Sequence, residues 1–246
     1  MPSQLFLIAL ALVLTSCASQ LVPGRMSIAI PPQFKNTVKE ELIQPTHPDP
    51  NEGPARTFTQ PTRIVSGRWL DPAFVSYTRS GTYYGNTKYR TWSIEVTKGA
   101  DRDVVKALEN NDAFKAAEVW AIDSSPRICP RIEQKKISWG EAITFLTQYQ
   151  NDNTNYVPNN GMLEYQVHGI TWDRRYTIRA QFGITHPRLT EFGRKVRYRD
   201  PPGTGNDPGL QMRKDPDYVL VEKSSPEKFQ PSIREIDAML DGLRVE

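Results

Sequence analysis

The sharpest periodicity in the chain runs from Leu163 to Ile184. Leu163, Tyr165 and Val167 alternate with Glu164, Gln166 and His168. After a polar turn at 169–174, Tyr176, Ile178, Ala180, Phe182 and Ile184 alternate with Arg175, Thr177, Arg179 and Gln181. A period of two on both sides of a turn predicts an antiparallel hairpin with one buried and one wet face. The same period marks a strand over 89–96, with Trp92, Ile94 and Val96 set against Thr91, Ser93 and Glu95. Lys98-Gly99 closes it. Asp101 then suits a helix N-cap, and Val104, Val105 and Leu108 form a stripe ending near Asn110-Asn111. Residues 113–117 fit a second short helix, and 118–122 fit strand and helix equally.

Two further segments carry a helical period. Ser138-Trp139-Gly140-Glu141 matches a capping box, and Trp139, Ala142, Ile143, Leu146 and Tyr149 then share one face, predicting a helix over 138–150. Pro231 fits a first-turn position, followed by Ile233, Ile236, Met239, Leu240 and Leu243, predicting a helix over 231–243. Residues 218–221 read as a strand and 188–216 as a long Gly/Pro-rich loop. The ending, a strand followed by Phe229-Gln230-Pro231-Ser232-Ile233 and a helix through Ile236-Asp237, resembles the PsbP-like α/β/α sandwich over about the last third of the chain. The pattern as a whole predicts an α+β fold: an antiparallel sheet packed by helices, in a single domain behind a Pro-rich tether.

The tether rests on composition. Residues 44–61 contain Pro45, Pro48, Pro50, Pro54 and Pro61 with few large apolar residues. Such a stretch favours extended conformers and cannot bury enough surface to fold alone. Earlier in the tether, 26–30 has strand composition and 38–43 fits a helical turn or more, and either segment could dock on the domain or stay loose. The expected organisation is a signal segment at 1–16, a flexible tether at 17–61 and the α+β domain at 62–246.

The apolar run at 5–14 spans about 15 Å as a helix, half a hydrocarbon core of about 30 Å, so it has the length of a signal region and not of a membrane span. It ends in Leu14-Thr15-Ser16-Cys17. This resembles the lipobox of bacterial lipoproteins, although Met1–Gln4 carries no Lys or Arg. The resemblance implies cleavage before Cys17, lipidation of Cys17 (palmitate among the chains) and anchoring to a membrane by lipid. Ala18 and Ser19 resemble the sorting class of the outer membrane, which implies a position facing the periplasm or the cell surface.

Charge and motifs then narrow the chemistry. A net charge of +3 on 246 residues gives no whole-protein argument for nucleic acid. With Cys17 acylated, Cys129 lacks a disulfide partner, so the fold rests on its apolar core. His47, His168 and His186 show no metal-ligand spacing, so no metal and no cofactor is expected. No Gly-x-Ser-x-Gly elbow, P-loop or dinucleotide fingerprint occurs. Cys129 lies between Arg127 and Arg131, where cations favour the thiolate, so a dyad with His168 or His186 formed by folding would make an envelope hydrolase. The stronger signals point to binding. Aromatic and cationic residues interleave over 68–92, with Trp69, Tyr83, Tyr84 and Arg90 as candidate contacts, and such platforms stack sugars or protein groups. A second zone at 188–199 holds Arg188, Arg194, Lys195, Arg197 and Arg199, suited to an anionic surface or acidic partner. The sequence thus predicts a lipid-anchored, non-catalytic binding or assembly module of the envelope, with an envelope protein or glycan as partner.

Overall fold

A computed structural model describes residues 25–44, 60–70, 89–112, 125–150, 155–191, 195–196 and 213–246. The predicted helix at 113–117, the ambiguous segment 118–122, Cys17, Tyr83, Tyr84, Arg194, Arg197 and Arg199 lie outside these residues. Twelve strands are numbered in chain order: β1 Met26–Ser27, β2 Asn36–Ile43, β3 Thr62–Leu70, β4 Tyr89–Lys98, β5 Ser125–Ile128, β6 Glu133–Ile137, β7 Gly140–Gln150, β8 Asn155–Tyr156, β9 Glu164–Thr171, β10 Tyr176–Gly183, β11 Lys195–Val196 and β12 Arg244–Val245. Three helices, α1 Arg102–Asn110, α2 Pro216–Lys223 and α3 Ile233–Asp241, complete the elements used below.

The centre is an eight-stranded sheet in the order β2-β3-β4-β10-β9-β7-β5, with β6 also paired to β7 and every pairing antiparallel. The hairpin is β9–β10, with Phe182 opposite Tyr165, Ala180 opposite Val167 and Ile178 opposite Gly169. Strand β4 continues the row with Trp92, Ile94 and Val96. That face carries the larger core. Phe34, on a short 3₁₀ turn before β2, packs edge-on against Trp92 and Phe182, which stack on each other 6.1 Å apart. Helix α3 covers the other half of this face: Tyr165 Oη donates to Asp237 Oδ1 at 2.6 Å, and Lys135 Nζ donates to Asp237 Oδ2 at 2.6 Å.

The second face is also covered, with Glu164, Arg179 and Gln181 half-buried, which corrects the expectation of a wet face. Gln166, His168 and Thr177 are fully enclosed. Helix α1 lies over Ile143 and Phe145 on this side, with Ala107 and Cys129 in the same cluster. Its N-cap is Asp101, as predicted, accepting from the amides of Asp103 and Val104. Burial works against ionising Asp101, but the Arg179 guanidinium 2.7 Å away and these amides outweigh it, holding the carboxyl below its ordinary range. Asn111 ends the helix in the left-handed region.

Four further expectations are corrected. Residues 138–150 form no helix: Ser138-Trp139 is the turn of a hairpin whose second strand is β7. Strand β7 is buried on both faces from Ala142 to Gln148, so its apolar residues need no alternation and fall by chance at helical spacing. The Ser138 amide instead donates to Asp241 Oδ1 at the end of α3. Residues 218–221 are helical, inside α2, where Asp215 caps the amide of Asp217 and Pro216 takes the first turn. The 38–43 segment is strand, part of β2. Finally, 25–44 does not behave as a tether: β2 is the sheet's edge, and β1 pairs with the C-terminal β12. The helix expected over 231–243 is α3, Ile233–Asp241: Ser232 and Glu235 form a reciprocal capping box, and Pro231 precedes the cap instead of taking the first turn.

Candidate functional site

The strand directions give the sheet two ends. At one end lie the β9–β10 turn, the β6–β7 turn and the β1–β12 pair. At the other lie the last residues of β3 and β10 and the first residues of β4 and β9. The described residues Trp69 and Arg90 of the first zone and Glu191 of the second meet at this end. Trp69 is only 3% exposed, and its Nε1 donates to the carbonyl of Gly183 at 2.8 Å. Arg90 is buried beside it, and its Nη2 lies 3.5 Å from Glu191 Oε2, inside the 188–199 zone. These two candidate contacts are therefore positioning groups of the interior, not an exposed platform. Arg188 is exposed; Lys195 is described through its backbone, as the β11 partner of Tyr156.

Asn160 organises the segment after β10. Its Oδ1 accepts the amide of His186 at 2.8 Å, while its Nδ2 donates to the carbonyls of His186 and Leu189. The Leu189 amide returns to the carbonyl of His186 at 3.0 Å, closing a turn with Pro187 in its second position. His186 is buried under this turn, its ring edge-on to Phe229 at 5.2 Å. Its Nδ1 accepts the Arg188 amide at 3.3 Å, and its Nε2 lies 3.0 Å from Ser224 Oγ. The Ser224 hydroxyl donates to the carbonyl of Leu220 at 2.7 Å. The partners thus assign the proton to Nε2, which donates to Ser224. Burial, and then the charges of Arg188 and Lys228, push the His186 pKa below its ordinary value. The neutral ring has both nitrogens engaged, and Ser224 receives a proton from it where a nucleophile would surrender one.

Beside this turn opens a cleft of about 700 Å³, lined among others by His186, Phe229, Gln230, Lys228, Glu191 and Glu235. The size falls in the range of ligand pockets, and the lining mixes apolar Leu189, Phe229 and Pro231 with charged Glu191, Lys228 and Glu235. On the second face of the sheet at the same end, Glu164 was a wet-face residue by alternation. Burial pushes its carboxyl up to about 7, against the opposing effect of Gln166 Nε2 donating at 3.0 Å. His168 Nε2 contacts Gln166 Oε1 at 3.0 Å, so the three side chains form one hydrogen-bonded row. The signal available for this row was the alternation itself; the long-range partners of Arg90 and His186 had none.

Cys129 is buried with Ile143 and Phe145, more deeply than a half-buried loop cysteine, and His168 packs on Phe145 at 5.4 Å. His186 is committed to Ser224 and the Arg188 amide. Among the described residues no group of three or more His, Cys, Asp or Glu side chains is placed to hold a metal, and no helix is long and apolar enough to cross a membrane. Comparison with protein-family models, curated proteins and solved structures finds no match for this chain.

Proposed function

We propose that this protein is a lipid-anchored extracytoplasmic envelope protein acting as a non-catalytic binding or assembly module. It engages an envelope protein or glycan with the end of its sheet that carries the His186 cleft. The anchor rests on the lipobox resemblance at Cys17. The observation that carries the binding reading is the cleft of about 700 Å³ at the end of the sheet where Arg90, from 68–92, meets Glu191, from 188–199. A neutral, fully hydrogen-bonded His186 suits a fixed recognition surface, because it holds the cleft wall in one geometry at neutral pH. Phe229 and the prolines Pro187 and Pro231 supply apolar contact, and Lys228, Glu191 and Glu235 supply polar specificity at the rim.

The test has two parts. Intact mass of membrane-extracted protein reads the acyl chains on Cys17, and an unmodified Cys17 in the mature chain overturns the anchor. Pull-downs from detergent-solubilised envelope then compare the wild type with Arg188→Glu/Lys228→Glu. Both positions are exposed, so the variant keeps the fold. A partner retained by the wild type and lost from the variant supports the reading; identical retention by both overturns the assignment of this end.

A further inference from the structure

We propose that the opposite end of the sheet, at the β9–β10 turn, docks on the anionic lipid surface of the membrane that holds the anchor. This rests on acylation of Cys17. The first observation is where the chain enters. Met26 pairs with Val245, Ser27 pairs with Arg244, and the amide of Glu246 donates to the carbonyl of Arg25 at 3.0 Å. Arg25 is eight residues after Cys17. At roughly 3.3–3.6 Å per residue, even full extension of the intervening chain reaches only about 26–29 Å. The end of the domain that contains β1 and β12 is therefore held near the bilayer.

The second observation is what that end displays. Leu243, Arg244 and Val245 line a shallow depression together with Trp139 and Trp172. Trp172 is 55% exposed, more than any other large apolar side chain among the described residues. Its amide is tied to the carbonyl of Trp139 at 3.1 Å, so the indole projects from a fixed backbone. Arg174 and Arg175 follow it in the turn, both exposed. The acidic member of the turn, Asp173, accepts from Thr171 Oγ1 at 2.6 Å and from the Arg175 amide at 3.0 Å, and its other oxygen lies 3.9 Å from the Arg175 guanidinium, offsetting part of that charge and leaving Arg174 as the clearer cation. Asp241 likewise accepts from the Ser138 amide. Exposed Arg25 and Arg244 add cations on the chain-entry side, with the terminal Glu246 beside them as an offset. An exposed tryptophan flanked by arginines matches the membrane interface, where the indole sits at headgroup level and guanidinium groups meet phosphate. A shallow depression with one ring offers too little area for a stable protein interface, whereas a bilayer needs only the ring and the charges.

The experiment uses the full acylated chain, reconstituted in vesicles containing phosphatidylglycerol and a lipid brominated near the top of its acyl chains. Flotation reports the anchor and tryptophan quenching reports the docking. The chain has five tryptophans, so all forms compared carry Trp120→Phe; expected is quenching that disappears when Trp172→Phe is added, because Trp69, Trp92 and Trp139 are buried. It should fall at least twofold in Arg174→Gln/Arg175→Gln and weaken as salt is raised. A chain that floats but shows no quenching, or quenching unchanged in Trp172→Phe, overturns the docking and leaves the anchor standing. Quenching equally strong on purely zwitterionic vesicles overturns the anionic assignment. A chain that does not float overturns the anchor and the docking together.

Discussion

Thr177 separates a one-faced sheet from the two-faced one observed. By alternation alone it belongs to a wet face, and a change to Ala or Val there stays within about 0.5 kcal/mol. In the structure it is fully buried. Its Oγ1 donates to the carbonyl of Gly99 at 2.8 Å and accepts from the Asp101 amide at 2.8 Å. The hydroxyl therefore ties β10 to the turn that starts α1, and through Asp101 to the cap of that helix. Thr177→Val keeps the shape and removes both bonds. Gly99 is exposed, so its carbonyl turns to water at little cost. The Asp101 amide, left facing a methyl group, loses its partner, which costs roughly 1–3 kcal/mol. The expected loss is about 2 kcal/mol, with amide exchange in the first turn of α1 accelerated. Ile178→Ala, on the opposite face, should cost about 2–5 kcal/mol as a large-to-small core change. Urea melts at neutral pH decide it. A Thr177→Val loss under about 0.5 kcal/mol, with α1 exchange unchanged, refutes the buried hydroxyl and the covered second face.

Glu164→Gln should change how stability depends on pH. The folded carboxyl is raised to about 7, so the native state holds its proton more tightly than the unfolded chain does. Stability then falls as pH rises from about 4.5 to about 7, and Gln at this position removes that slope and adds up to about 3 kcal/mol above pH 7, checked by melts across the range. Gly169→Ala should lower the thermal midpoint sharply, because a Cβ there meets the Glu141 carbonyl at 2.6 Å and the Trp139 ring at 2.7 Å, overpacking worth about 1–3 kcal/mol. Gly99→Ala finds nothing within 4 Å, so its cost is the positive φ of 91° alone, about 1 kcal/mol.

What the sequence made legible follows from how each element is buried. The β9–β10 hairpin and β4 alternate because one face takes apolar residues while the other, though enclosed, takes the polar row of Glu164, Gln166 and His168. Helix α1 was readable from Asp101, and α3 from its stripe, while the Pro231 cue misplaced the start: Pro231 lies one residue before the Ser232 cap. Strand β7 was not, because a strand covered on both sides carries apolar residues on both and loses its period. Helix α2 was disguised by four consecutive apolar residues, Tyr218 to Val221, although the cue of Asp215 before Pro216 was present. Strand β2 was hidden by its neighbours: the prolines between 44 and 61 coloured the whole stretch, while β2 holds Val38, Leu42 and Ile43 and contains none of them. The site was the least legible part. Arg90 and Glu191 are 101 residues apart and Lys135 and Asp237 are 102 apart, and no local pattern announces such pairings. Cations and aromatics could be located along the chain, but which of them turn inward depends on both coverings of the sheet.

The two ends of the sheet give the cation-rich zone a meaning that its composition did not. Strand β10 runs from Tyr176 beside the β9–β10 turn to Gly183 at the cleft end, eight residues, or about 25 Å of strand. Arg188 follows at the cleft end. If the chain enters next to the β9–β10 turn on a leash of at most about 29 Å, the docked orientation sets Arg188 and the cleft roughly one strand length above the headgroups. That separation exceeds the Debye length of about 8 Å at physiological salt, so attraction of Arg188 to the surface of its own membrane is screened away. For Arg188 the lipid and partner readings are then no longer equivalent: in the docked orientation it is left to a partner. The cleft would sample the space about 25 Å from the bilayer, and a binding partner has to present its surface at that height.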